Sequence, residues 1–392
     1  FLWLLFFLVL SIGVLIYLNV NSTGDVVFNG KPALKIASHT TMLGIVLEIA
    51  KEQGYYEQEG VNVELKQVES SSVSMPALAN GDLDIVIGSI AAGSFNHLSK
   101  NQDLRIIADG ARVVPTIVVR KDLANGIKDI KDLKGRIFVT PREGSASFYA
   151  LAKVLSSENL EIKNITPKYL REEESIVAFE IKQIDAGIVN EPYATYLVDR
   201  GLVVKFDSSK IEPLFPEIGQ QHMVLFTTTK VLEKEEAVKR FLRAYKRAAY
   251  YYNTALDGKE PEREEVIKIA SNVYGIEPEI IAESRWPMIS NDIRPDINEM
   301  NKAQDFFLES GLIEKKVNLN EKFDLSFLPW LRTLMIKKKI FLPIVLFLVI
   351  FVIWEILAYF NIINSLFLPP PSSVLSSLIK ELDYYIESIF IT

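Results

Sequence analysis

Short apolar runs alternate with amphipathic segments along most of the chain. Runs rich in Val, Ile and Leu, bounded by Gly, Ser or Pro, predict buried strands. They cover residues 34–38, 61–68, 84–89, 105–111, 116–122, 136–140, 186–190 and 223–229. Segments with helical periodicity fall between them, at 42–53, 73–79, 145–157, 172–183, 231–256 and 261–271. Strands that alternate with helices in this way predict an α/β fold with mostly parallel strands.

Two longer apolar runs lie outside this alternation. Residues 1–20 carry no charge and 17 of them are hydrophobic, which is just enough to span a hydrocarbon core of about 30 Å. We predict a transmembrane signal anchor over residues 1–22, with a cleaved signal peptide as the alternative. Residues 340–360 are apolar apart from Pro343 and Glu355, and they predict a second membrane helix.

Composition narrows the class of protein. The chain has 392 residues, a formal net charge of -7, no cysteine and three histidines. The lack of cysteine excludes disulfides, thiolate metal sites, a cysteine nucleophile and a lipidated N-terminal cysteine. An acidic balance without a basic run in the middle argues against a nucleic-acid partner. His39, His97 and His222 are far apart in sequence, so we expect neither a metal site nor a cofactor.

Six strings of residues resemble those of one known family. They are LKIASHTT, LEIAKEQGYYEQEGVNVEL, MPALANGDLDIVIGSIAAGSF, LRIIADG, DIKDLKGRIFV and DAGIVNEPYA, in that order. They resemble the substrate-binding proteins of ABC importers, in the sulfonate, taurine, nitrate and thiamine-precursor branch often called SsuA/THI5-like. The resemblance covers about residues 33–328 and implies a two-lobed periplasmic binding protein type II fold with a ligand cleft between the lobes.

The same resemblance implies where the lobes begin and end. Lobe one is expected at about 33–113 and 226–328, and lobe two at about 114–222. The chain is expected to cross between them near residues 113–119 and 219–226.

Candidate ligand-binding residues follow the predicted strands. In open α/β sheets, ligands bind beyond the carboxyl ends of strands, where helix N-termini offer N–H groups and partial positive charge. Three such corners carry suitable residues: Ser38, His39, Thr40 and Thr41; Gly88 and Ser89; and Arg142, Gly144, Ser145, Ala146 and Ser147. The alternative is that their hydroxyls are ordinary helix caps.

Other candidates come from the NEPYA string and the return crossing. Asn190 and Glu191 match the family's EPY-like motif; Glu191 either faces the cleft, favouring an amine or N–H group, or caps the next helix. At the return crossing, Gln221 and His222 can donate to a ligand oxygen, with a structural role as the alternative for His222. Trp286 either stacks on the ligand or packs in the core.

Arginines are the predicted countercharge for an anionic ligand. A guanidinium binds a sulfonate or carboxylate bidentately, and Arg112 and Arg142 are the candidates. With Glu191 opposite, the best ligand would carry both an anionic group and an amine, as an amino-sulfonate does, or be a neutral pyrimidine with donors and acceptors.

The C-terminal piece, residues 335–392, resembles the start of an ABC permease of the same importer group. The resemblance rests on three features in sequence: Trp354-Glu355, three prolines at 369–371, and the spaced apolar residues after them. The positive-inside rule places residues 337–339 in the cytoplasm, whereas an N-terminal anchor would leave them outside. A true gene fusion and a separate permease joined by a reading artefact are both open.

The resemblance implies the solute-binding component of an ABC importer. It would be held at the cell membrane with its binding domain outside, and would pass a small polar solute to a permease and its ATPase subunit. The competing hypotheses are a THI5-like enzyme that forms a thiamine pyrimidine precursor and a ligand sensor. The lack of cysteine argues against the enzyme, and the permease-like tail argues against the sensor.

Overall fold

The computed structural model describes residues 32–68, 71–216 and 219–328, and then residues 351, 353–358, 360 and 369–380. The predicted anchor over residues 1–22 and most of the predicted helix 340–360 lie outside the described residues. Within the described ranges, no helix has the length and apolar character needed to cross a membrane. The chain forms one compact unit up to Asp324 and a second from Leu325 onward.

Two five-stranded sheets form the framework of the first unit. The first has the order β2-β1-β3-β10-β4, where β1 is Ala33–His39, β2 Asn62–Val68, β3 Ile85–Ser89, β4 Leu104–Val113 and β10 Gln220–Thr228. The second has the order β7-β6-β8-β5-β9, where β5 is Ile117–Arg120, β6 Ile137–Thr140, β7 Thr166–Tyr169, β8 Ala186–Ile188 and β9 Val203–Lys205. Strands β5 and β10 run antiparallel to their neighbours, and the other pairs are parallel.

Helices connect and cover these strands. In the first unit they are Ile45–Glu52 (α1), Tyr55–Gln58 (α2), Ser71–Asn80 (α3), Ala92–Lys100 (α4), Ala146–Ser156 (α5), Glu172–Glu180 (α6), Tyr193–Asp199 (α7), Thr229–Leu232 (α8), Glu235–Leu256 (α9), Glu262–Tyr274 (α10), Pro278–Glu283 (α11), Ile297–Glu309 (α12) and Leu319–Lys322 (α13). In the second unit, Pro371–Lys380 (α14) follows the prolines. We call the first sheet with its helices lobe one, and the second sheet with its helices lobe two.

The second sheet shows how period-two alternation builds a core on both faces. Val119 and Phe138 belong to one buried cluster, whereas Val118 and Val139 belong to a separate one. Successive side chains of a strand point to opposite faces, so these near-continuous apolar runs are buried on both sides. This is the pattern expected for a mostly parallel sheet covered by helices.

The elements that the hydrophobic pattern did not predict are mainly short and polar. Strands β7 and β9 lie at the two edges of the second sheet, and β7 is mostly exposed. An edge strand with little buried surface needs few apolar residues, so its sequence shows little of the alternation that predicts a strand. Helix α4 contains polar Ser, Asn and His residues and was also missed, as were α7, α11 and α12.

The helix predicted at residues 42–53 is broken at Gly44. Residues Met42–Gly44 form a 3₁₀ turn before α1 begins. A Cβ atom on Gly44 would lie 2.7 Å from the His39 nitrogen and 2.9 Å from the Ser38 hydroxyl. Only glycine fits there, and the helix therefore starts tightly against the end of β1.

The lobes are joined where β4 leads into β5. Residues 114–116 connect these two strands, and the chain returns to lobe one at β10, where Gln220 pairs with Val113. Gly219, just before β10, has φ +75°, and an added Cβ would lie 2.9 Å from the Val113 carbonyl carbon. The two connections therefore run side by side at the base of the cleft.

We expect Gly187→Ala to destabilise lobe two. Gly187 is central in β8, and an added Cβ would lie 2.2 Å from Val139 Cγ1 and 2.9 Å from its carbonyl oxygen. Overpacking of this kind costs about 1–3 kcal/mol, which urea unfolding of the full chain would measure. The control is Gly93→Ala in α4, where nothing lies within 4 Å of the new Cβ. Equal stability of the two variants would contradict the prediction.

Candidate ligand-binding cleft

A cavity of about 260 Å³ lies between the two lobes. Lobe one contributes His39, Leu43, Ser89, Ala91, Gly93, Ser94, His97, His222 and Met223. Lobe two contributes Pro141, Arg142, Glu143, Gly144, Ser145, Ser147, Arg171, Glu172 and Asn190. A smaller cavity of about 30 Å³ lies beside the hinge residues 113–116 and shares four of these side chains.

Eight of the predicted site residues line the larger cavity. They are His39, Ser89, Arg142, Gly144, Ser145, Ser147, Asn190 and His222. They meet because β1, β3 and β6 end at the cleft and the following segments turn there. Ser38, Thr40, Thr41, Gly88, Arg112, Ala146, Glu191 and Gln221 are not among the residues that line this cavity.

Three helices begin at the cavity. Helix α4 presents Gly93 and Ser94, α5 presents Ser147, and α6 presents Glu172. Unpaired N–H groups and partial positive charge at such ends favour an anionic group. The hydroxyl of Ser145 accepts a hydrogen bond from the Phe148 N–H at 3.0 Å, so this serine caps α5 as well as lining the cavity.

Ser38 is buried beside the cavity without lining it, and Thr41 has structural partners there. Ser38 is fully buried, and because it precedes His39 in β1 it lies on the opposite face of the sheet. The Thr41 hydroxyl accepts a hydrogen bond from the Leu43 N–H at 3.4 Å and lies 3.0 Å from His39 Nδ1. Thr41 thus follows the helix-cap alternative and also orients His39.

Arg112 and Gln221 belong to a buried network outside the cavity. Arg112 Nε donates to Asp109 Oδ2 at 3.1 Å, and Nη2 donates to the Arg294 carbonyl at 2.8 Å. Gln221 donates to Asp109 Oδ1 and accepts from the Asp296 N–H at 2.8 Å. The polar groups of both side chains are held by protein partners, which leaves Arg142 as the better candidate for a ligand's countercharge.

Glu191 has the geometry of the helix-cap alternative. Its Oε2 accepts from the Thr195 N–H at 3.0 Å and from the Thr195 hydroxyl at 2.8 Å. Its Oε1 accepts from Lys205 Nζ at 3.0 Å. The carboxylate lines only the small cavity at the hinge, and its charge is already balanced inside lobe two.

A different carboxyl group faces the cleft. Glu172, at the start of α6, lines the cavity and accepts from Asn190 Nδ2 at 2.6 Å. Burial raises the pKa of Glu172, although the Asn190 hydrogen bond acts in the opposite direction. Sequence reasoning missed Glu172 because it follows the edge strand β7, whose weak pattern gave no strand end to search.

Trp286 has a core role. It is 4% exposed and stacks on Tyr252 with a centroid distance of 5.8 Å. Its Nε1 donates to the Ile281 carbonyl at 2.7 Å. Like Glu191, it touches only the small hinge cavity, so the core alternative describes it better than ligand stacking.

Two histidines of the cavity, half-buried His39 and buried His222, have lowered pKa values that favour the neutral ring. Burial lowers the pKa of His39 to about 4, against a smaller opposite effect of Glu173. Burial lowers the pKa of His222 to about 3, and His39 lowers it further. His222 Nδ1 is buried without a hydrogen-bond partner among the described residues. Neutral imidazoles both donate and accept hydrogen bonds, so this pair suits a polar ligand.

Among the described residues, no group of three or more His, Asp or Glu side chains could hold a metal ion.

The lobes touch each other on one side of the cavity. The Ala92 N–H donates to the Gly144 carbonyl at 2.8 Å. Lys153 of lobe two lies 3.7 Å from Glu299 of lobe one, and Tyr149 packs on Phe306 with a centroid distance of 5.3 Å. The structure is therefore that of a closed cleft.

We expect Lys153→Met to favour an open cleft. Methionine keeps the packing of the side-chain stem, but Glu299 then loses its 3.7 Å ion pair across the lobes, worth up to about 1 kcal/mol, while its pair with Lys302 remains. Small-angle X-ray scattering should show a larger radius of gyration than for the unchanged chain. The control is Lys163→Met, whose ion pair with Glu161 is exposed and lies within lobe two. An unchanged scattering profile for Lys153→Met would contradict this role.

We expect Glu191→Gln to weaken lobe two rather than ligand selection. The change removes the charge that Lys205 contacts, so unfolding free energy should fall by about 1–3 kcal/mol. The affinities of amine-bearing and purely anionic solutes, compared by calorimetry, should change together. The control is Glu161→Gln, an exposed ion-pair residue of the same lobe. A selective loss of affinity for the amine-bearing solute would instead show that Glu191 takes part in ligand binding.

Comparisons with known proteins agree with this architecture. Residues 41–255 match the family model described as "NMT1/THI5 like". A curated relative from Escherichia coli (strain K12), named "Putative aliphatic sulfonates-binding protein", is 24% identical over 202 residues, which are 50% of this chain and 59% of that protein.

Two solved structures are similar in fold. The periplasmic aliphatic sulphonate binding protein SsuA from Escherichia coli has a TM-score of 0.61 and 19% identity, covering 75% of this chain and 92% of that one. The periplasmic nitrate-binding protein NrtA from Synechocystis PCC 6803 has a TM-score of 0.60 and 12% identity, covering 76% and 87%. These neighbours confirm the predicted two-lobed periplasmic-binding-protein fold. Since the family match spans more than half of the sequence, the chain belongs to the NMT1/THI5-like family.

Proposed function

We propose that this chain is a solute-binding protein that encloses a small polar solute with an anionic group between its lobes. The observation that carries the proposal is the cavity between the lobes, where three helix N-termini meet Arg142. Helix N-termini and a guanidinium are complementary to a sulfonate, carboxylate or nitrate. The sulfonate- and nitrate-binding proteins with the same fold support the same class of solute.

The solute would also carry a hydrogen-bond donor. Glu172 and Asn190 lie on the lobe-two side of the cavity and are linked to each other. A carboxyl group in this position accepts from an amine or a ring N–H. Glu172 therefore takes the role that the sequence suggested for Glu191, and an amino-sulfonate remains the preferred solute.

Capture without chemical turnover is the proposed activity. This chain has no cysteine, which argues against the competing pyrimidine-forming reaction. The relatives named above are binding proteins. Closure of the lobes is the useful event, because a transporter can then distinguish the loaded form from the empty one.

Delivery to a permease completes the proposal. The chain would act outside the cytoplasm, held to the membrane by residues 1–22 or 340–360, and residues 335–392 would be the start of a permease that works with an ATPase subunit. The matched relatives described as periplasmic support the location of the binding lobes.

Arg142→Ala should weaken the binding of anionic solutes about 10- to 100-fold, the usual scale for a hydrogen bond to a charged group. Calorimetric titration of the full chain with ethanesulfonate, taurine, nitrate and a neutral pyrimidine would measure it. The matched control is Arg200→Ala, an exposed arginine of the same lobe that packs on Tyr196. If none of these solutes binds the unchanged chain, the proposed function is wrong.

A further inference from the structure

We propose that His39 and His222 form a proton-accepting pair, so that enclosing an anionic solute takes up a proton from solvent. The inference rests on the proposed function and adds how the same site is regulated: capture of the solute would depend on pH through these two side chains.

The formal charges of the side chains around the cavity give an anion no excess positive charge beyond the partial charge of the helix N-termini. Among the described residues, the charged side chains that line it are two arginines and two glutamates: Arg142, Glu143, Arg171 and Glu172. Arg171 is further paired with Glu174, with 3.1 Å between Nη2 and Oε1. Enclosing an anion away from water is costly unless a positive charge accompanies it. The cavity as it stands does not supply that charge in excess.

The histidines can supply it without any rearrangement of the fold. Both rings line the cavity, and His222 is 4% exposed. His222 Nδ1 has no hydrogen-bond partner among the described residues, whereas His39 Nδ1 lies 3.0 Å from the Thr41 hydroxyl. A ring nitrogen that the protein leaves unpaired, buried at the cavity wall, is available to a ligand or to a proton shared with one.

Only one proton is expected for the two rings. His39 already lowers the pKa of His222, and two adjacent imidazolium ions would repel each other. The pair therefore titrates as a unit. The ionisable groups that face it are Glu173 near His39, and Arg142, Glu143, Arg171, Glu172 and His97 around the same cavity.

Closing the cleft on a neutral solute and closing it on an anion should have opposite effects on protonation of the two histidines. Burial of the histidines lowers their pKa below the ordinary value of about 6.5, so closing the cleft on a neutral solute releases protons and binding weakens as pH falls through that value. An enclosed anion stabilises the imidazolium and raises its pKa relative to the open state. Protons are then taken up, and binding strengthens as pH falls toward the pKa of the open state.

Isothermal titration calorimetry of the full chain with ethanesulfonate would measure the proton balance directly. Titrations at about pH 7 in Tris and in triethanolamine, which differ in ionisation enthalpy and are not anions, give the number of protons exchanged. We expect uptake of about 0.3 to 1 proton and an affinity that rises about two- to tenfold for each pH unit lowered from about 8.

Single substitutions identify which residues take up the proton. His222→Gln keeps a polar side chain without a titratable nitrogen and should abolish proton uptake, and His39→Gln should reduce it. The matched control is His97→Gln at the same cavity, which should keep proton uptake whatever its effect on affinity. Thermal unfolding establishes that each variant is folded, and the two pair variants test the inference independently.

The outcomes are distinct. Ethanesulfonate binding with proton release or with no exchange would overturn the inference and leave solute binding standing, as would uptake that persists in both folded pair variants. If no anionic solute produces a binding signal, both the proposed function and the inference fail. Uptake that disappears in His222→Gln and persists in His97→Gln supports the proton-accepting pair.

Discussion

The buried carboxylate of Asp109 is the interaction on which the arrangement of lobe one depends. Asp109 is fully buried in β4, and a buried charge is tolerated only when its oxygens have strong partners. Arg112 Nε and the Ser290 N–H donate to one oxygen at 3.1 and 3.0 Å, and Gln221 donates to the other. Strands β4 and β10 and the segment before α12 are therefore held together beside the connections between the lobes.

This network also decides which cations face the cleft. The Arg112 side chain is 4% exposed because it balances Asp109, whereas Arg142 follows β6 and reaches the cavity. The same separation applies to the carboxyl groups, because Glu191 is balanced by Lys205 while Glu172 remains at the cavity wall. Arg112 and Glu191 therefore stabilise their own lobes, whereas Arg142 and Glu172 line the cavity.

Closure links the two lobes to the chemistry of the cavity. The Ala92–Gly144 hydrogen bond holds the N-termini of α4 and α5 next to each other, and the Lys153–Glu299 pair joins α5 to α12. Burial lowers the pKa of both His39 and His222 and favours their neutral forms. The electrostatics of the site thus belong to the closed state rather than to either lobe alone.

The sequence predicted the two-lobed fold and the strand ends beside which the cavity lies. Alternating apolar runs predicted most strands, and the residues after β1, β3 and β6 converge because carboxyl ends of strands meet at one edge. Which polar side chains line the cavity at that edge became clear only from the three-dimensional structure. The partners of Arg112 and Gln221 are distant in sequence, and the partner of Glu191 is one helical turn away. Glu172 follows the edge strand β7, which has no apolar pattern that could have marked its end. Pairing depends on three-dimensional neighbours, so spacing along the chain could not distinguish a structural charge from one available to a ligand.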